Sequence, residues 1–132
     1  MSMKMRRSTL MFPVNVPRFI EKAHTRGADA ISLDLEDAVP PSEKDSARKH
    51  VREAIAMVGR GGAEVLVRVN NDPGMICEDI DASIYPGLTG IHFPKAESAE
   101  QIHRLDALIG AKERERGLAP GSISVSAHIE TP

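Results

Sequence analysis

A single cysteine, Cys77, is all the thiol chemistry this chain carries. That excludes an internal disulfide and a cysteine-built metal site, and it fits a reducing compartment. No apolar run approaches the length of a membrane span. No block of one charge stands out either: Lys+Arg 17 face Asp+Glu 19, for a formal net charge of -2. Neither nucleic acid nor an anionic membrane is therefore an expected partner, whereas a small anionic ligand is compatible. Met1 to Arg7 is basic but lacks a following apolar stretch of signal type, so cytoplasmic residence is expected. Internal repeats and low-complexity tracts are missing. What is there is 132 residues at 41% hydrophobic content, enough for one domain with a real core over 1–132 and too short for two of ordinary size.

The chain is organised around Ile31-Ser32-Leu33-Asp34-Leu35-Glu36-Asp37-Ala38-Val39, an apolar run that turns acidic before Pro40-Pro41. It reads as a buried strand whose end delivers carboxylates to a loop. Three acids within four residues repel one another, so the cluster is costly unless a cation, an arginine or a shared proton offsets it. A solvated acidic turn is the plain alternative. The company this stretch keeps along the chain separates the two.

Thr9 to Phe12 is a short apolar run closed by Pro13, and Asn15 before Val16-Pro17 caps a helix to about Arg26, with Phe19, Ile20 and Ala23 on one face and Gly27 as its stop. After the acidic strand, Ser42 and Asp45 have the spacing of a capping box. They predict one helix whose apolar stripe is Ala47, Val51, Ala54, Ile55 and Val58, ended by Gly59 to Gly62. Val65 to Val69 is strongly β-prone, and Arg68 within it is out of place for packing alone, just before Asn70-Asn71-Asp72-Pro73-Gly74 turns the chain. Ile76, Ile80 and Ile84 mark a short helix, and Gly90 to Phe93 a strand ended by Pro94-Lys95. Ser98 with Gln101 opens a helix that buries Ile102, Leu105 and Ile109; its charged run Lys112 to Arg116 reads as a solvated face before Gly117. The last segment alternates strictly, with Ile123, Val125, Ala127 and Ile129 against Ser124, Ser126, His128 and Glu130. A polar strand face is awkward in a sheet covered on both sides, but lines a polar site when it points into a barrel.

Strand and helix thus alternate four times before a fifth strand, which predicts an α/β fold with parallel strands and right-handed crossovers. In this architecture ligands bind beyond the carboxyl ends of the strands. Asp34 to Asp37, Arg68, Pro94-Lys95 and Glu130 lie there. Random surface charge has no reason to choose that edge, so four such groups at four equivalent places point to a site. His92 and His128 fall before the strand ends and read as packed or lumen-lining residues.

These residues together resemble the citrate lyase beta-subunit family, within the HpcH/HpaI aldolase superfamily that also holds malyl-CoA and citramalyl-CoA lyases. The marks are Arg7-Ser8-Thr9-Leu10-Met11-Phe12-Pro13 with Asn15, Pro17 and Arg18, then Gly27-Ala28-Asp29-Ala30, Leu33 to Val39, Arg68-Val69-Asn70, Pro94-Lys95 and Ile129-Glu130-Thr131. The resemblance implies the N-terminal half of a (β/α)8 TIM barrel that uses Mg²⁺ to cleave a carbon–carbon bond in a 3-hydroxyacyl thioester, releasing an acetyl thioester and a 2-oxo acid. It implies Glu130 as a metal carboxylate and Arg68 as the arginine that steadies the substrate's carboxylate or enolate oxygen. Glu36 and Asp37 match acidic residues at the site edge, and Lys95 and Arg7 match thioester or phosphate contacts. The family glycine after the first-strand proline is Val14 here.

A second metal aspartate and three further strands of the family barrel would lie past Thr131-Pro132. Residues 1–132 are therefore expected to be a partial barrel, inactive alone, that covers its edges by self-association, as a homo-oligomer or within a larger lyase complex. Two other readings stay open: an aldolase acting on free 2-oxo acids, and a non-catalytic half-barrel that serves only assembly or binding.

Overall fold

Side-chain alternation gives the sheet two unlike faces, and that difference decides where the core and the site sit. The computed structural model describes residues 9–23, 25 and 27–129. Five parallel strands, β1 (Thr9–Pro13), β2 (Ala30–Asp34), β3 (Glu64–Arg68), β4 (Gly90–Ala96) and β5 (Ser124–Ile129), pair in the order β1-β2-β3-β4-β5. The crossovers carry α1 (Pro17–Ala23), α2 (Lys44–Arg48) with α3 (Val51–Val58), α4 (Ile76–Ser83) and α5 (Ala99–Glu115). This is the partial TIM-barrel arrangement that the element order predicts: neighbours in sequence are neighbours in the sheet.

One face is apolar. Ile31, Leu33, Val65, Val67, Ile91 and Phe93 belong to the same cluster as Ile20, Val51, Ile55, Ile80, Leu105 and Ile109 from the helices, so the core lies between sheet and helices. The other face carries two register rows. Met11, Ser32, Leu66, Gly90 and Ser124 form one, and Pro13, Asp34, Arg68, His92 and Ser126 the next, nearer the carboxyl ends. In the first row a glycine is required. A Cβ on Gly90 would sit 2.6 Å from Ser124 Oγ and 3.0 Å from both Leu66 Cδ2 and the Ser124 carbonyl. The polar alternation of the last strand fits this layout, since Ser124 and Ser126 share rows with Gly90 and His92.

Three local expectations are corrected. The single helix predicted from Ser42 is a 3-10 turn over Pro41–Glu43 followed by α2 and, past Lys49-His50, α3. Two prolines start that turn with Ser42 inside it, so Ser42 has no position from which to cap, and no side-chain cap bond forms. The fourth strand does not end at Pro94-Lys95 but bulges there and continues to Ala96, with Lys95 in the left-handed region at φ 54°. Carbonyls turned out of the ladder need donors, and Asn71 Nδ2 supplies one at 3.1 Å from Pro94 O and 2.8 Å from Lys95 O.

The run Lys112 to Arg116 is not merely a solvated face. Glu113 is buried and accepts from the Gly121 and Ile123 amides, each at 3.1 Å, which ties α5 to the entry of β5. Arg116 donates to the Ile84 carbonyl at 2.8 Å and stacks on Tyr85, and with Lys112 it pairs with Asp81. The capping box at Ser98 forms in modified shape: Ser98 Oγ accepts from the Gln101 amide, while Gln101 Oε1 accepts from Glu97 rather than Ser98.

Candidate functional site at the strand mouth

Asp34 ends β2 directly opposite Arg68 in the β2–β3 register. Both side chains rise on the face away from the core and meet as a fork: Arg68 Nε donates to Asp34 Oδ1 at 2.9 Å, and Nη2 to Oδ2 at 2.6 Å. The same two oxygens accept from the Glu36 amide at 2.8 Å and the Ala38 amide at 2.9 Å. Asp34 is fully buried, and burial alone pushes its carboxyl up. The hydrogen bonds from Arg68 and the two amides outweigh that and hold it below the usual carboxylate range. The hydrogen bond that Arg68 donates to Asp34, more than burial opposes it, keeps the guanidinium firmly cationic.

Glu36 sits over this pair with its Oε1 3.5 Å from Arg68 Nε and its Oε2 3.9 Å from Lys95 Nζ. Neither contact is a close hydrogen bond, and the buried Oε1 has no hydrogen-bond partner. Burial, helped by the neighbouring charge of Asp37, pushes the Glu36 carboxyl up despite Arg68 and Lys95. The cluster of acids is therefore offset in the way the sequence requires, by an arginine, but Asp34 rather than Glu36 takes its fork.

Beneath the acidic loop runs a buried polar network. Lys44 Nζ donates to the carbonyls of Leu35 at 2.9 Å and Glu36 at 2.8 Å, and to Asn70 Oδ1 at 2.8 Å. Asn70 Nδ2 donates back to Leu35 O and to Asp79 Oδ2, whose partner oxygen accepts from Arg48 Nε at 2.7 Å. A cavity of about 670 Å³ opens beside these residues, lined among others by Glu36, Asp37, Lys44, Asn70, Asn71 and Lys95.

Of the residues proposed from sequence, the structure brings Arg68, Glu36 and Lys95 together. Asp37 lies exposed on the same loop, close enough for its charge to act on Glu36. Arg7 and Glu130 lie outside the described residues, as does the His128 side chain. Val14, standing where the resemblance expects glycine, packs into the core, and its amide bonds the Asp34 carbonyl at 3.3 Å. Lys44, Asn70, Asp79 and Arg48 were not among the sequence candidates. A signal existed: Lys44 precedes Ala47 and Val51 at helical spacing, so it lies on the apolar stripe, and Asp79 adjoins Ile76 and Ile80 in the same way.

Among the described residues no group of three or more His, Cys, Asp or Glu is placed to hold a metal ion. Asp34 has both oxygens committed to donors, which leaves Glu36 Oε1 as the buried carboxylate oxygen free to accept.

Parallel strands in sequence order, crossover helices on one face and polar groups at the carboxyl ends of the strands define part of a (β/α) barrel with its candidate site at the mouth. The chain belongs to the HpcH/HpaI aldolase/citrate lyase family, whose profile matches residues 7–132. It is 40% identical to the citrate lyase subunit beta of Leuconostoc mesenteroides subsp. cremoris over 129 residues, covering 97% of this chain and 43% of that protein. It is 36% identical to an L-malyl-CoA/beta-methylmalyl-CoA lyase of Cereibacter sphaeroides over 115 residues, 84% of this chain and 36% of that one. Protein CitE from Mycobacterium tuberculosis, solved in complex with magnesium and pyruvate, superposes with a TM-score of 0.65 at 28% identity, over 93% of this chain and 44% of CitE. The chain thus spans less than half the length of these relatives.

Proposed function

We propose that this protein is a Mg²⁺-dependent carbon–carbon lyase, cleaving a 3-hydroxyacyl thioester of the citryl-, malyl- or citramalyl-CoA type to an acetyl thioester and a 2-oxo acid. The observation that carries this reading is the guanidinium of Arg68, locked by Asp34 at the strand mouth beside Glu36, Lys95 and an open cavity. The family relationship supports the reaction class, and the thioester named for the Cereibacter relative and the magnesium and pyruvate bound to CitE support the substrate and metal.

Cleavage leaves negative charge on the acetyl fragment's enolate, and a cation that is already fixed stabilises it without reorganising. Arg68 is suited to that role, because Asp34 holds the guanidinium plane and lysine could not reproduce its bidentate geometry. In this reading Glu36 and Asp37 tune and orient that cation. Lys95, together with Arg7, supplies positive charge for the thioester's phosphates. Mg²⁺ favours hard oxygen ligands and, when bound, polarises the oxygens of the 2-oxo acid. Glu130 is the carboxylate proposed to hold it, with a second expected beyond Pro132. The described residues do not themselves assemble a metal site. A cytoplasmic homo-oligomer, or membership of a larger lyase complex, completes the proposal.

The test is acetyl-CoA release by the full-length protein with Mg²⁺ and malyl-, citramalyl- or citryl-CoA, run beside free 4-hydroxy-2-oxo acids. Cleavage of a thioester is expected. Turnover of the free acids alone would instead indicate the aldolase reading, and no turnover of either would indicate a binding or assembly role.

A further inference from the structure

Lys44 is the side chain whose burial the proposed reaction leaves unexplained. It is only 9% exposed, and among the described residues its ammonium donates to three neutral oxygens and to no carboxylate. A buried ammonium is costly, and satisfying it with neutral acceptors alone leaves a net positive charge inside the fold. The acidic residues nearby do not quench it. Asp34 is committed to Arg68, and Asp79 is committed to Arg48 and Asn70.

The three acceptors identify what the charge holds. Two are consecutive carbonyls, Leu35 and Glu36, at the point where β2 gives way to the acidic loop. Leu35 is gripped from every side: its carbonyl also accepts from Asn70 Nδ2, and its amide donates to the Arg68 carbonyl at 2.9 Å. With the backbone at 35–36 pinned in this way, the Glu36 side chain is aimed at Arg68 and Lys95. The third acceptor, Asn70 Oδ1, fixes the amide's orientation so that Nδ2 can serve both Leu35 O and Asp79 Oδ2. Arg48 on the far side of Asp79 carries the brace to α2, the helix that also bears Lys44.

We propose that Lys44 is a positioning residue of the active site: a buried cation that pins the Leu35-Glu36 backbone from behind and biases the Glu36 carboxylate toward its ionised form in front of Arg68. This deepens the lyase reading and rests on it for the role given to Glu36. Glu36 is faced by Asp34 from β2, by Asp37 from its own loop, by Arg68 from β3 and by Lys95 from β4. Lys44 approaches from α2, on the backbone side. Removing it takes away one of three cations set against the two acids that face Glu36, so Glu36 should become harder to ionise.

The experiment is a ¹³C NMR titration of the Glu36 carboxyl in the full-length protein, with the resonance assigned by its loss in Glu36→Gln, before and after Lys44→Met and Lys44→Gln. Methionine keeps the stem and removes the charge; glutamine also removes the charge but offers a neutral donor to the same oxygens. Both should move the Glu36 midpoint up by about half a pH unit or more, with the fold retained by circular dichroism. The limb of the kcat/KM profile against pH should move with it for whichever thioester is turned over. An unchanged midpoint in a folded variant overturns the proposal, and so does failure of both variants to fold, which would make Lys44 a purely structural residue. The titration needs no turnover. A wild-type protein inactive on every thioester would sink the lyase reading and leave the Lys44 result standing, while a fixed midpoint in an active enzyme would do the reverse.

Discussion

Arg68 and Asp34, directly opposite in the register of two adjacent parallel strands, form a two-pronged ion pair at 2.9 and 2.6 Å with the carboxylate fully buried. Breaking the pair leaves the partly buried Arg68 guanidinium, 18% exposed, without its partner, at about 1.5–3 kcal/mol. Asp34→Asn should cost that much in denaturant unfolding, since the amide can still accept from one N–H but not neutralise Arg68. A loss below about 1 kcal/mol would mean that Arg68 finds another partner, for which Glu36 is placed.

The two carboxyls of the site should respond oppositely to acid. Asp34 is held below its unfolded value, so its stabilisation is present above that value and is lost as pH falls through the folded one. Glu36 is shifted up, so what it contributes is fully present below its unfolded value and is lost as pH rises through the folded one. Glu36→Gln should therefore stabilise at neutral pH and lose that advantage near pH 4, about the ordinary carboxylate range. Melting temperatures of the variant and wild type at the two pH values check this, and a difference independent of pH would contradict it.

Catalysis should suffer where stability gains. If Glu36 and Asp37 tune Arg68, replacing both by their amides lowers thioester cleavage while leaving or raising the melting temperature. Full activity in that double variant would make the pair a solvated turn with no part in the chemistry.

Glu113 offers a structural control distant from the strand mouth. Its carboxylate satisfies two backbone amides at the entry of β5, and Ser122 Oγ lies 3.3 Å away. Glu113→Ala should destabilise by about 1–3 kcal/mol through unpaired buried donors, with KM unchanged. Glu113→Gln, which keeps an acceptor, should lose less. Chemical denaturation of both variants measures the difference.

How much of this was legible in the sequence varies with the distance over which each feature is determined. The strands and their parallel order follow from local pattern: Val65 to Val69 is β-prone at every position but Arg68, and the alternation after Ile123 assigns a face to every residue. Arg68, Glu36 and Lys95 are legible because strand ends converge in this fold. The partners are not. That Asp34 rather than Glu36 takes the arginine's fork depends on the β2–β3 register, and register is a tertiary property. Lys44 and Glu113 sit in helices whose polar residues ordinarily face water, and only the carbonyls and amides brought against them from distant segments make their burial sustainable. Ser42 fails as a cap for a local reason, the pair of prolines that places it within a turn instead of before one.

The metal reading has its own check. Glu130→Gln in the full-length protein should lose Mg²⁺ affinity in calorimetry, whereas variants at Asp34, both of whose oxygens are already occupied, should keep it. Unchanged binding in the Glu130 variant would remove that residue from the site.

Arg68→Lys, assayed for acetyl-CoA release with Mg²⁺ binding measured alongside, tests the central claim most directly. The charge stays and the fork is lost, so turnover should fall roughly 100-fold or more while Mg²⁺ affinity holds. Wild-type kcat/KM in that variant would contradict the account, because the cation fixed by Asp34 would then have no share in the reaction.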